Sequence, residues 1–229
     1  MRYSRLEMLE GIGPEGIEKL NKAKVLIIGC GALGSLCAMY LGASGVGTIG
    51  IADFDTIEIS NLQRQLFFDE SQLGKSKVET LAPRLKAINS ETVVNVYNEF
   101  LTKNKVEKYF YDYDFIIDGS DNPATKSLTA NVCEKLGKPY CIGGVKEFSG
   151  QVMSWSKGHA GYMDLFGDIP QCSGFTPCSV SGVLGPAAGI VASVQASEAI
   201  KHLTGAGKML YDSIFLFDLY SIQASVLSF

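Results

Sequence analysis

The chain has 229 residues, 46% of them hydrophobic and 19% charged, and a formal net charge of −4. That length suits a single α/β domain over residues 1–229 with a full core. The acidic balance supplies no global field for DNA, RNA or an anionic membrane, so any basic function must be local. Charges run from Met1 to Lys24 without a charged-then-apolar leader pattern, which predicts a cytoplasmic location. Cys30, Cys37, Cys133 and Cys141 lie in or beside apolar segments, where a thiol behaves as a small hydrophobe.

The first stretch, Arg2 to Asn21, predicts two short helices, the second opened by Pro14. An uncharged run then extends from Val25 to Ala52, between Lys24 and Asp53. It predicts a strand over 25–28, a glycine turn at Gly29, Gly31 and Gly34, a small-residue helix to Ser44, and a second strand ending at Asp53. Gly29 suits a tight turn, Gly31 lets backbone N–H groups approach a phosphate, and Gly34 allows close helix–strand packing. Asp53 follows Gly34 by 19 residues, near the expected place for an acidic group that holds ribose hydroxyls. Glycines at 42, 45 and 47 mark a second turn and exclude a continuous membrane helix.

Beyond Asp53 come a polar loop over 55–65, a helix over about 75–88, a strand over 92–97, a helix near 103–109 and a buried strand over 115–117. A helix over 123–136 and a strand over 139–142 follow. This alternation predicts parallel strands with right-handed crossovers, a Rossmann-like doubly wound sheet. After Gly144 the pattern changes: an exposed alternating strand over 147–156 and two more over 213–219 and 221–227 predict an antiparallel half. Between them lie a long loop over about 156–181, expected to be functional or mobile, and a helix over 186–203.

Asp53 and Asp55, then Asn61, Arg64 and Gln65, then Lys75 and Lys77, then Asp118 and Asp121 would converge on the carboxyl ends of the parallel strands. Cations, several amides and carboxylates around a glycine turn suit a triphosphate with Mg²⁺ better than a dinucleotide. Nucleotidyl transfer needs positive charge spread along a phosphate chain. Each residue also has a plain reading: Arg64 and Lys77 as solvated faces, Asp121 as the N-cap ahead of Pro123, His159 and His202 as surface residues.

The chain resembles the ThiF, MoeB and HesA group, bacterial relatives of the ubiquitin-activating enzymes, and is nearer the ThiF type. The matching pieces are Arg2-Tyr3-Ser4-Arg5, Gly29 to Gly34, Asp53-Phe54-Asp55, Asn61 to Gln65, Gly74 to Glu79, Asp118 to Asn122, Gly150-Gln151-Val152 and Gly182 to Pro186. The resemblance implies adenylation, with Mg-ATP, of the C-terminal glycine of a ubiquitin-like sulfur carrier ending in Gly-Gly. Pyrophosphate leaves, and a sulfur donor such as a sulfurtransferase then displaces AMP to give a thiocarboxylate for thiamin or molybdopterin synthesis. It implies that Asp53 holds ribose, Gly31 the phosphate turn, Asn61, Arg64 and Lys77 the phosphates, and Asp121 the Mg²⁺. It also implies a homodimer in which Arg5 reaches the partner's ATP, in the manner of an arginine finger.

Many members of that group carry a zinc ion on two Cys-x-x-Cys pairs, and this sequence has none, so no zinc is expected. Cys178 matches a loop cysteine that ThiF-type members use in sulfur transfer. That match and the modest length favour the thiamin type. The competing readings are an NAD-dependent oxidoreductase, which leaves Arg64, Lys77 and Asp121 without roles, a non-catalytic half of a heterodimer, which should lack a phosphate residue, and the group's tRNA-modifying dehydratase branch.

Overall fold

Strand β1 (Lys24–Ile28) turns Val25 and Ile27 into one core and Leu26 and Ile28 into another, all four almost without solvent exposure. Strand β4 (Phe115–Asp118) repeats the pattern, with Phe115 and Ile117 on one side and Ile116 on the other. The two-residue period of a strand makes this unavoidable once both faces are covered, and it explains why these segments read as continuous apolar runs. The structure, a computed structural model, describes residues 2–167 and 182–229.

The described strands form one eight-stranded sheet. With β2 (Thr48–Ala52), β3 (Val93–Tyr97), β5 (Tyr140–Lys146), β6 (Ser149–Trp155), β7 (Ser213–Asp218) and β8 (Gln223–Ser228), its order is β3-β2-β1-β4-β5-β6-β7-β8. Strands β3, β2, β1, β4 and β5 pair in parallel; β6, β7 and β8 continue antiparallel. The parallel and antiparallel halves therefore fall where the sequence predicts. The chain winds outward from β1 to β3, then returns to β4 on the other side of β1. That reversal opens a crevice beyond the carboxyl ends of β1 and β4.

One face carries α2 (Gly13–Lys22), α3 (Ala32–Ala43), α4 (Lys77–Ile88) and α8 (Gly185–Thr204). The other carries α5 (Lys103–Tyr111), α6 (Pro123–Leu136) and the short α7 (Tyr162–Phe166). Small residues in α3 and α8 let these helices pack closely: Cys37 and Ala38 on one, Ala188, Ala192 and Ala196 on the other, are all buried. The N-terminal α1 (Ser4–Glu7) is tied down by Arg2, which donates to the Ile88 carbonyl, and by Tyr3, whose hydroxyl accepts from Asn89. The Tyr3 ring also lies against Gly45. Gly45 is separated from the glycine turn by the length of α3, about 18 Å at 1.5 Å per residue.

Three expectations are corrected. Strand β6 is interior, between β5 and β7, and Val152 to Trp155 are buried. Its alternation separates two cores rather than core from solvent, because α8 covers one face and α7 the other. The stretch from Ser156 to Gly167 is not plain loop, since it holds α7 with Tyr162 buried; residues 168–181 lie outside the described residues. His202 is half-buried rather than a surface residue: its ring lies 5.1 Å from that of Phe115, its Nδ1 is 2.9 Å from the Tyr211 hydroxyl, and burial holds its pKa below the ordinary histidine value.

Candidate active site

The site is built around the turn between β1 and α3. Gly29 has φ +80°, and a Cβ there would stand 3.0 Å from the Ser120 amide nitrogen. At Gly34 a Cβ would fall 1.8 Å from the Gly29 carbonyl oxygen, so no side chain fits. Gly31 is the N-cap of α3, and the first amides of that helix face the crevice with the positive end of its dipole. Asp53, just past β2, braces this turn: one carboxylate oxygen accepts from the Cys30 amide at 2.7 Å, the other from the Asp55 amide at 2.9 Å.

A cavity of about 950 Å³ opens beside the turn. Gly29, Gly31, Asp53, Asp55, Arg64 and Gln65 line it, and so do Lys77 and Asp121. Lys77 is the first residue of α4, capped by Ser76, and its ammonium pairs with Asp55 at 2.8 Å. Its side chain is 7% exposed, which replaces the reading of a solvated helix face. Arg64 is half-buried and donates to the Ser60 carbonyl at 2.9 Å. Gln65 is buried, and its side-chain oxygen has no hydrogen-bond partner among the described residues. An orphaned acceptor in a cavity wall is costly unless a ligand donor meets it.

Asp121 is exposed to the cavity and makes no hydrogen bond or ion pair among the described residues. The N-cap of α6 is Asn122, whose side-chain oxygen accepts from Ala124 at 2.8 Å and Thr125 at 3.4 Å, so the capping alternative for Asp121 is overturned. Asparagine takes the position because it directly precedes Pro123 at the first helical position. One free carboxylate facing a phosphate-sized cradle suits Mg²⁺, which keeps several waters and is held by one or two carboxylates.

Four expected residues stand apart: Lys75 is exposed outside the cavity wall, Asp118 is fully buried behind it, and Asn61 and Arg5 also lie off the wall. Asn61 is buried outside the cavity wall, with its Oδ1 accepting from the Glu58 amide at 3.2 Å. Arg5 is exposed on α1, also outside the wall. Cys178 and Cys172 lie outside the described residues. Among the described residues no group of three or more His, Cys, Asp or Glu could hold a metal ion, and burial pushes the thiols of Cys30, Cys37, Cys133 and Cys141 up. Among the described residues no helix is long and apolar enough to cross a membrane.

Other wall residues have no assigned role in the sequence reading, although Phe54 and Gln151 fall within its matching pieces. Phe54 and Phe100 meet edge to face at 5.2 Å at the mouth, both exposed, a surface suited to a planar base. Lys146 and Gln151 line the far wall on β5 and β6. Lys126 reaches the cavity from α6; in the sequence it reads as an ordinary helical lysine.

Comparison with known proteins bears on this arrangement. The chain is 38% identical over 222 residues to the probable adenylyltransferase/sulfurtransferase MoeZ of Mycobacterium tuberculosis, covering 95% of this chain and 57% of MoeZ. It is 38% identical over 226 residues to the adenylyltransferase and sulfurtransferase MOCS3-1 of Zea mays, covering 98% of this chain and 48% of that one. The chain thus spans about half the length of the curated relatives it matches. Among solved structures, E. coli MccB with succinimide superposes with a TM-score of 0.87 at 23% identity, over 100% of this chain and 71% of that one. E. coli MccB with ATP gives 0.81 at 23%, over 93% and 66%; at such identity the likeness is one of fold. The ThiF family profile matches residues 3–228, nearly the whole chain, and with the glycine turn, brace and cavity in place the chain belongs to the ThiF family.

Proposed function

We propose that this chain adenylates the C-terminal glycine of a ubiquitin-like sulfur-carrier protein, with Mg-ATP as the second substrate. The observation that carries the reading is the joint presence, on one cavity wrapped around the Gly29–Gly34 turn, of Lys77, Arg64 and an Asp121 that has no partner among the described residues. The relatives' names, adenylyltransferase and sulfurtransferase, support it. A carboxylate is already nucleophilic at neutral pH, so the step needs no acid or base. The carrier's carboxylate oxygen bonds to the α-phosphorus, the bond to the β-phosphate bridging oxygen breaks, and pyrophosphate leaves with its electron pair.

The protein's work in that step is positioning and charge stabilisation. The amides after Gly31 hold phosphate oxygens, Arg64 and Lys77 neutralise charge along the chain, and Asp53 and Gln65 offer acceptors to ribose hydroxyls. Mg²⁺ held by Asp121 would supply further charge neutralisation on the phosphates. Arg5 is exposed outside its own cavity wall, two residues after the Tyr3 that lies against Gly45 at the far end of α3, so its part is proposed in trans, in a homodimer. A sulfur donor then attacks the acyl carbon and releases AMP; Cys178 is the candidate for a covalent carrier link.

The test is ATP–pyrophosphate exchange with purified carriers of the thiamin and molybdopterin type. Exchange with either supports the reading, and the preferred carrier identifies the pathway, for which the thiamin type is proposed. Tight NAD binding without ATP binding by calorimetry would sink it. The Cys178→Ser variant should keep exchange and lose thiocarboxylate formation. Fractionation should place the protein in the cytoplasm.

A further inference from the structure

Beneath the Gly119–Asp121 turn lies a second charged pair that the adenylation reading does not use. Asp118 ends β4 with no exposed surface, and Lys126, on the second turn of α6, is 9% exposed. An ammonium has three N–H donors, and Lys126 has three protein acceptors: the Ser120 carbonyl, the Gly143 carbonyl at 2.8 Å and Asp118 Oδ1 at 3.3 Å. Asp118 is equally engaged. Its Oδ1 accepts from the Ser120 amide at 3.0 Å and hydroxyl at 2.6 Å, and its Oδ2 accepts from the Thr129 hydroxyl at 2.6 Å. Gln195 of α8 donates to the Asp118 carbonyl at 2.8 Å. Elements β4, β5, α6 and α8 are thereby tied to one short turn.

Desolvation offsets most of what such a buried pair gains, and well-packed apolar side chains would often stabilise the fold as well. What the pair supplies is geometry. The peptide group is planar, so holding the Ser120 carbonyl oxygen also holds the nitrogen and Cα of Asp121. On the other side the turn is pressed against the glycine loop: a Cβ on Gly119 would stand 2.9 Å from the Gly34 amide nitrogen. Asp121 therefore leaves a turn clamped from below and above.

We propose that Lys126 is a positioning residue for the metal–nucleotide site. By fixing the Ser120–Asp121 peptide it keeps the Asp121 carboxylate aimed into the cavity. The inference rests on the reading of Asp121 as the group that holds Mg²⁺. Supporting groups behind a metal-binding side chain characteristically change metal affinity by about 10- to 100-fold when removed.

The experiment is calorimetric binding of ATP at a series of Mg²⁺ concentrations, which needs no carrier, on the wild type, Lys126→Met, Asp121→Asn and the double variant. Lys126→Met should raise the Mg²⁺ needed for half-maximal enhancement of ATP binding by about tenfold or more. In the Asp121→Asn background the same change should have almost no further effect, because the group it positions is gone. Thr129→Val removes one hydrogen bond to Asp118 without touching the Ser120 carbonyl, and should lower the melting temperature while leaving the Mg²⁺ dependence unchanged. An unchanged Mg²⁺ response in folded Lys126→Met, or equal effects in both backgrounds, overturns the inference while the proposed function stands. If Lys126→Met does not fold, Lys126→Gln, whose shorter amide has only two N–H donors for the three acceptors, must shift the Mg²⁺ response in the same direction, or the inference fails. A wild type that shows no Mg²⁺-dependent ATP binding overturns both.

Discussion

The Lys77 ammonium lies 2.8 Å from the Asp55 carboxylate, and the burial of the partners is unequal, 7% exposure against 50%. A lysine this buried needs a counter-charge, while Asp55 at the rim keeps water. The pair is suited to exchange, since a phosphate arriving at the cavity can replace Asp55 as Lys77's partner and leave Asp55 hydrated.

Replacing Lys77 by Ala should therefore lower the adenylation rate by about 10²- to 10³-fold, the usual scale for one electrostatic donor at a reacting group. The melting temperature should move little, because the abandoned Asp55 can be hydrated. Pyrophosphate exchange and thermal denaturation measured on the same preparation check both halves. A rate within about threefold of wild type returns Lys77 to a structural ion pair.

Neighbouring residues 121 and 122 should separate cleanly. Asp121→Asn removes the free carboxylate, so Mg²⁺ dependence and activity fall together while stability is kept. Asn122→Ala removes the cap of α6 and should cost about 1 kcal/mol of stability, with a smaller effect on exchange. Denaturant titration alongside Mg²⁺-dependent exchange reads this out, and the reversed pattern would make Asp121 the structural residue.

Arg5 predicts complementation between subunits. Arg5→Ala and Lys77→Ala proteins should each be nearly inactive. Mixed, they should recover activity, since a heterodimer has one site with both a native Lys77 and a partner's Arg5. Exchange after mixing and ultracentrifugation over a concentration range check this; a monomer at all concentrations, or no recovery, would count against the trans arrangement.

His202 predicts a pH effect on stability. Burial beside Phe115 lowers its folded-state pKa below the unfolded value of about 6.5, so the unfolded chain binds the extra proton more readily. The stabilisation is fully present above about pH 6.5 and is lost as pH falls from there toward the lowered folded pKa. Thermal melts from pH 7.5 to 5 should show wild-type stability declining across that window, with a flatter profile for His202→Gln. Parallel profiles would assign the decline to other groups.

Much of the fold is legible in the sequence because its signals are local. The glycine turn needs a positive φ at Gly29 and no side chain at Gly34, and both follow from residues within a few positions. The β4 and β1 runs read as buried strands because each is covered on both faces. Strand β6 misleads for the same reason in reverse: its alternation is real, but whether its second face meets solvent or α7 depends on residues far along the chain. Asp121 and Asn122 are both good capping residues, and only the backbone path into α6 distinguishes them.

By itself the sequence determined the nucleotide-type turn, the acidic Asp53 that follows it, the parallel-then-antiparallel order of elements and the charged residue types near the strand ends. Period, turn chemistry and spacing along a single strand–turn–helix unit are enough for those. The tertiary structure alone decided which charges meet. Lys77 finds Asp55 across 22 positions and Gln195 reaches Asp118 across 77, while Lys126 turns inward to Asp118 rather than out to water. Asn61 is drawn out of the cavity wall, and Arg5 stays exposed outside it, two residues after the Tyr3 that packs at the far end of α3. These outcomes depend on strand order and helix packing, which bring together residues that share no local pattern, and on the cost of burying a charge unless a partner is waiting for it.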